Sequence, residues 1–79
     1  DVEIRSIRVG ELSRAAGMTI GDLNVRKKYG VSILAISRNH KLISELQAET
    51  KIHSSDILLV ISPPEKLDEV KKLFEDQVG

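Results

Sequence analysis

Apolar positions in this chain change their period several times, and each change marks the edge of an element. The sharpest pattern lies in residues 17–38, GMTIGDLNVRKKYGVSILAISR. Ile20, Leu23 and Tyr29 recur at near-helical spacing, which predicts a helix opening after Thr19 with one stripe buried. Thr19 suits the N-cap, and Asp22, three residues on, suits both the reciprocal capping geometry and the positive end of the helix dipole. Arg26, Lys27 and Lys28 fill the last turn, where cations are favoured, and Gly30 can take the left-handed conformation that ends it. VSILAI, residues 31–36, then has apolar side chains at both parities, as a strand covered on both sides does.

Weaker patterns flank this stretch. Residues 2–9 mix β-branched and charged side chains and predict a first strand with Arg5 and Arg8 in solvent. Val2 and Ile4 share one parity and Ile7 and Val9 the other, so a bulge or bend is expected near Ser6. Residues 10–17 read as a short helical turn or loop with Leu12 and Ala16 inward. Asn39-His40 is a two-residue hairpin turn, because Asn tolerates positive φ, and residues 41–46 follow as a more polar strand near an edge. Residues 47–56 are mostly polar, anchored by Ile52, and residues 57–61 (ILLVI) are a second fully apolar strand. Ser62-Pro63-Pro64-Glu65 opens a final helix with Ser62 as N-cap, Pro at the first helical position and Glu completing the box. Leu67, Val70, Leu73 and Phe74 form its buried stripe, and Asp68 and Lys72 make an i,i+4 pair. The order strand-helix-strand-strand-strand-helix predicts an α+β fold: a small two-layer sandwich, mainly antiparallel sheet, with the helices on one side.

Composition narrows the function. Seventy-nine residues make a single domain, residues 1–79, and one this small buries roughly 60% of its surface, so oligomerisation is expected to help it. The chain opens DVEIRSIRV without an initiator Met, as a domain excised from a longer protein would. Lys and Arg number 12 against 12 Asp and Glu, and the net charge of zero argues against a domain built to bind nucleic acid or an anionic membrane directly. Cysteine is absent, and no apolar run reaches the roughly 20 residues of a membrane span, so no membrane insertion by this segment is expected. Catalysis finds no support in the pattern. His40 and His53 sit in loops without a partner at metal-ligand spacing, the glycines at 10 and 17 are not spaced as a phosphate loop, and the carboxylates are unpaired. Arg26-Lys27-Lys28 is the one basic run, with only Tyr29 and Phe74 as aromatics, too little for a nucleic-acid face.

The stretch 17–38 is similar to the signature of the RCK C-terminal (TrkA-C) domain. Gly17, Thr19, Ile20, Leu23, Arg26, Tyr29, Gly30, Val31, Ala35, Ile36 and Arg38 carry the likeness, and Glu49-Thr50, Ile52 and Asp56-Ile57-Leu58 continue it. Met18 stands where Lys is usual, Leu46 and Ala48 where prolines are common, and Ser55 and Ser62 where glycines are. The resemblance implies a cytoplasmic regulatory domain of a potassium or cation channel or transporter. It implies a homodimer binding a small ligand, cyclic di-AMP foremost, in the cleft between protomers. Carried over, the ligand-binding positions are Ile20, Val25, Arg26, Lys28, Ser32 and Ile33, with Ile20, Val25 and Ile33 as apolar walls for the bases and Arg26 facing a phosphate or base edge. Ser32 replaces the usual Asn and Lys28 a small residue. Two other roles fit the same resemblance: a ligand-free dimerisation module of a transporter, or the effector domain of a transcriptional regulator.

Overall fold

Two apolar strands side by side form the middle of the sheet. In the computed structural model, which describes residues 1–77, β1 (Glu3–Arg8), β2 (Ser32–Arg38), β3 (Lys41–Ile43) and β4 (Ile57–Ser62) form one antiparallel sheet in the order β1-β4-β2-β3. Residues opposite one another across an antiparallel pair share a face. The pairs Ile7↔Leu58, Ile36↔Leu58 and Ile33↔Val60 therefore define the inner face, where Ile7, Ile36, Leu58 and Val60 are buried. Phe74, Val70, Ile52, Val9 and Val31 complete the core against it. The outer face carries Ile4 on β1, Leu42 on β3 and Ile57 on β4, which are 58%, 70% and 43% exposed, so this face is open at its margins, while Ala35 of β2, opposite Leu59 on the same face, is buried. The result is the expected two-layer α+β sandwich.

The bulge lies elsewhere than expected. β1 pairs with β4 without a break from Glu3↔Ser62 to Arg8↔Ile57, and the change of parity arises because Val2 and Ile4 point outward while Ile7 and Val9 point into the core. The register instead slips in β2 between Ile33 and Ala35, leaving Leu34 as the extra residue. In the loop that follows β1, Leu12 is not inward but 68% exposed; Ser13 and Ala15 are buried in its place. The Ser13 hydroxyl accepts from the Ala15 N–H and donates to the Leu73 carbonyl, each at 3.0 Å, and that ties the turn to the last helix.

The helix expected after Thr19 is two: α1 (Ile20–Leu23) and α2 (Val25–Tyr29), separated by Asn24 at φ 51°. Leu23 and Val25 are both buried, yet positions i and i+2 of a continuous helix face nearly opposite ways. A left-handed residue between them, for which Asn is well suited, turns both inward. The caps fall where the sequence predicts. The Thr19 hydroxyl accepts from the Asp22 N–H at 3.0 Å, and Gly30, at φ 70°, donates its N–H to the Arg26 carbonyl at 2.9 Å. Thr19→Ala is expected to cost about 1 kcal/mol, seen as a thermal midpoint lower by about 4–8 °C in a scanning-calorimetry trace. Asn39 and His40 both take positive φ, 51° and 65°, as a type I′ hairpin turn requires.

The last helix also starts later than expected. Ser62 stays in β4 opposite Glu3, fully buried, and its hydroxyl donates to the Pro63 carbonyl at 2.9 Å instead of capping a helix. A 3₁₀ turn, Pro64–Lys66, leads into α3 (Leu67–Phe74), with Val70 and Phe74 buried and Leu67 and Leu73 packed at the margin. Asp68 and Lys72 are not among the ion pairs that the described residues form.

Candidate functional site

β3 ends at Ile43, three residues short of the expected 46, and the chain then leaves the edge of β2. That departure makes a gap. Residues 44–56 form a strap that finds its hydrogen bonds against residues 17–21 instead. Gly17 donates its N–H to Ile52 O at 2.7 Å, Ile52 to Met18 O at 2.8 Å, Ile20 to Thr50 O at 2.9 Å and Gly21 to Ala48 O at 2.9 Å. The strap also braces itself, for the Gln47 N–H donates to the Thr50 hydroxyl at 2.9 Å.

A clasp holds the foot of the strap. Asp56 is 1% exposed, and Arg38, at the end of β2, grips it with two parallel bonds: Nε to Oδ1 at 2.9 Å and Nη2 to Oδ2 at 2.8 Å. The same Nη2 donates to Lys51 O at 3.0 Å, and the His53 N–H donates to Asp56 Oδ2 at 2.8 Å. Burial pushes the Asp56 carboxyl up, but the Arg38 hydrogen bonds, the His53 N–H and the nearby charges pull it further down, leaving it below the usual carboxylate range. Those hydrogen bonds raise the Arg38 guanidinium against its own partial burial.

Between the strap, the start of β2 and the α1–α2 junction lies an open cleft of about 350 Å³. Of the six residues singled out by resemblance, Ile20, Val25, Arg26, Ser32 and Ile33 line it. Lys28 does not: it borders a smaller depression of about 180 Å³ with Arg14, Met18, Asp22 and Tyr29. The strap adds Leu46, Gln47 and Ala48, and α1 adds Gly21. The sequence held no signal for the three strap residues as a wall, since a mostly polar segment without a period does not announce what it packs against. Val25 is buried, Ile20 and Ile33 are half-buried, and Arg26, the second residue of α2, is exposed. Among the described residues no acidic side chain lines the cleft and Arg26 forms no ion pair. Apolar walls, one unneutralised guanidinium, a serine hydroxyl and a glutamine amide suit a flat apolar group that carries an anion.

His40 and His53 are both exposed, and among the described residues no group of three acidic or histidine side chains is placed to hold a metal ion. No described helix is long and apolar enough to cross a membrane.

The family profile of the TrkA-C domain matches residues 4–75. The chain belongs to the TrkA-C domain family. Over 49 residues this TrkA-C domain is 49% identical to the Ktr system potassium uptake protein C of Bacillus subtilis (strain 168), a match covering 62% of this chain and 22% of that protein. The chain thus spans less than a quarter of the length of that relative. Among solved structures, it is similar to the RCK C domain of the potassium transport protein KtrA in complex with cyclic di-AMP. That likeness has a TM-score of 0.81 at 29% identity, over 91% of this chain and 82% of the other. It is equally similar to the RCK_C domain dimer of S. agalactiae BusR in complex with cyclic di-AMP, with a TM-score of 0.80 at 28% identity over 90% and 93% of the two chains. BusR has also been solved with its promoter DNA, where this TrkA-C domain matches 37% of the BusR chain with a TM-score of 0.81 at 28% identity.

Proposed function

We propose that this TrkA-C domain is the ligand-sensing regulatory part of a potassium or cation transport system, working on the cytoplasmic face of the membrane. In this reading it pairs with a second copy and binds cyclic di-AMP across the pair. The observation that carries the reading is the acid-free cleft, on which Ile20, Val25, Arg26, Ser32 and Ile33 converge. Ile20, Val25 and Ile33 take an adenine, and Arg26 and Ser32 hydrogen-bond the phosphate or the base edge. Lys28, beside the neighbouring depression, contributes positive field there rather than direct contact.

Size argues for the pair. Ligand sites run from about 300 to 1,000 Å³, so a cleft of about 350 Å³ in one chain accommodates one half of a two-base ligand. Micromolar affinity requires about 8 kcal/mol. Two Arg26 contacts supply about 3–6 kcal/mol of that, at about 1.5–3 kcal/mol each. Apolar burial of the bases, at about 25 cal/mol per Å², supplies the remainder once two copies close over them. The two cyclic-di-AMP-bound neighbours support the choice of ligand.

Isothermal titration of the purified domain with cyclic di-AMP, alongside light scattering for its mass, is the test. Saturable heat at one ligand per two chains is expected, with cyclic di-GMP and AMP binding more weakly. A folded dimer that evolves no heat with cyclic di-AMP would leave a ligand-free dimerisation module. A second reading, the effector domain of a transcriptional regulator, is favoured by the likeness to DNA-bound BusR. It would place the DNA contacts outside this domain, whose net charge is zero.

A further inference from the structure

Gly21 sits where the strap comes closest to α1. Its N–H donates to the Ala48 carbonyl at 2.9 Å. A Cβ on Gly21 would meet that same oxygen at 3.1 Å and the Ala48 Cβ at 3.2 Å, both tighter than ordinary van der Waals contact. Unlike Gly17 and Gly30, Gly21 has no positive φ, so the backbone conformation does not call for glycine. Within a helix, Ala is favoured over Gly. Glycine is therefore unfavourable for α1 itself, and what it provides is room for the strap.

That room determines where one wall of the cleft stands. Gly21 and Ala48 both line the cleft, with Gln47 and Leu46 next along the strap. Past Ala48 the strap is pinned, by Ile20 N–H on Thr50 O and by Arg38 on Lys51 O. A displacement at Ala48 therefore shifts its neighbours on the other side, Gln47 and Leu46, which line the cleft, against the two hydrogen bonds that tie Gln47 to Thr50. We infer that Gly21 is a positioning residue for the cleft: its lack of a side chain lets the strap lie against α1 and thereby sets the spacing between Leu46–Ala48 and the Arg26–Ser32–Ile33 wall. This rests on the reading of the cleft as a ligand site. A misplacement of about 1 Å can cost about 100-fold, so a shift approaching half an ångström is expected to weaken binding by about tenfold.

The test titrates cyclic di-AMP into the wild type, Gly21→Ala, Ala48→Gly and the double variant, with thermal midpoints and amide exchange measured in the absence of ligand. Gly21→Ala is expected to bind about tenfold more weakly while its midpoint holds or rises, because Ala favours the helix. The double variant, which removes the Ala48 Cβ, is expected to recover part of the affinity. A merely structural role would instead lower the midpoint and leave affinity alone. Gly21→Ala binding within twofold of wild type overturns the inference, as does a double variant no tighter than Gly21→Ala. If the wild type evolves no heat, the ligand reading fails on its own. The spacing is then judged from the residue 21 amide, which exchanges faster in Gly21→Ala if the strap has been pushed away and at the wild-type rate if it has not.

Discussion

Arg38→Met should lower the stability of the domain by about 3 kcal/mol at neutral pH, the low end of the range for breaking a buried ion pair from one side. The loss falls on Asp56. With the guanidinium gone, a carboxylate that is 1% exposed keeps just the His53 N–H, and nothing nearby replaces two charge-assisted hydrogen bonds. Methionine fills the space of the arginine stem, so the measurement isolates the head group rather than a cavity. The low end is appropriate because the Arg38 side chain is itself 25% exposed, which limits what the pair contributes.

The penalty should also depend on pH, in a direction the linkage fixes. In the wild type, Asp56 titrates below its unfolded value. It therefore adds stability that is present above the ordinary carboxylate range and is lost as pH falls through the folded value. In Arg38→Met the burial remains and most of the lowering is gone, so the folded value rises above the unfolded one and the sign reverses. Urea midpoints should then differ most near pH 7, draw together as pH falls through the ordinary carboxylate range, and converge only below the wild type's lowered folded value, where the carboxyl is protonated in both proteins. A gap that stays constant with pH would assign the loss to the Lys51 contact rather than to the buried charge.

That clasp illustrates which parts of the molecule its sequence could foretell. Arg38 and Asp56 were each recognisable by resemblance, but nothing local said that they meet, because 18 residues separate them. Features governed by a few neighbouring residues were legible: the Thr19 cap, the left-handed Gly30, the type I′ turn at Asn39-His40 and the stripe on α3. Features decided by tertiary competition were not. Ile20, Leu23 and Tyr29 fit one helix, and it is the burial of Val25 that requires the break at Asn24. Ser62 has every property of an N-cap but is held in the ladder opposite Glu3. Leu12 looked like core, yet the turn directs Ser13 and Ala15 inward. For the cleft, the signature stretch could supply the α-helical and β2 walls, since both lie within residues 17–38. The strap wall could not be read, because its place depends on β3 stopping at Ile43 and on a bare backbone contact at Gly21.

If the proposed site is as described, Arg26→Ala should weaken cyclic di-AMP binding by at least 100-fold while leaving the proposed dimer and the fold in place. Each charge-assisted hydrogen bond is worth about 1.5–3 kcal/mol, and a two-fold site loses it twice, for about 3–6 kcal/mol in total. The lower figure is the appropriate one, since Arg26 is exposed and well hydrated before the ligand arrives. Even so, about 3 kcal/mol is a little more than two decades of affinity. Stability should barely change: a cation at a helix C-terminus is worth about 0.3–1 kcal/mol, and Lys27 and Lys28 remain in the same turn. Arg26→Lys separates charge from shape, because lysine keeps the charge but not the planar fork, and should fall between Arg26→Ala and wild type. Titration calorimetry at two salt concentrations reads both parts, with the wild type losing more affinity in high salt than Arg26→Ala does. Affinity unchanged in Arg26→Ala would mean that the guanidinium faces no anion. Loss of the dimer, with the monomer still folded, would make Arg26 part of the contact between copies, and the cleft between them would need another explanation.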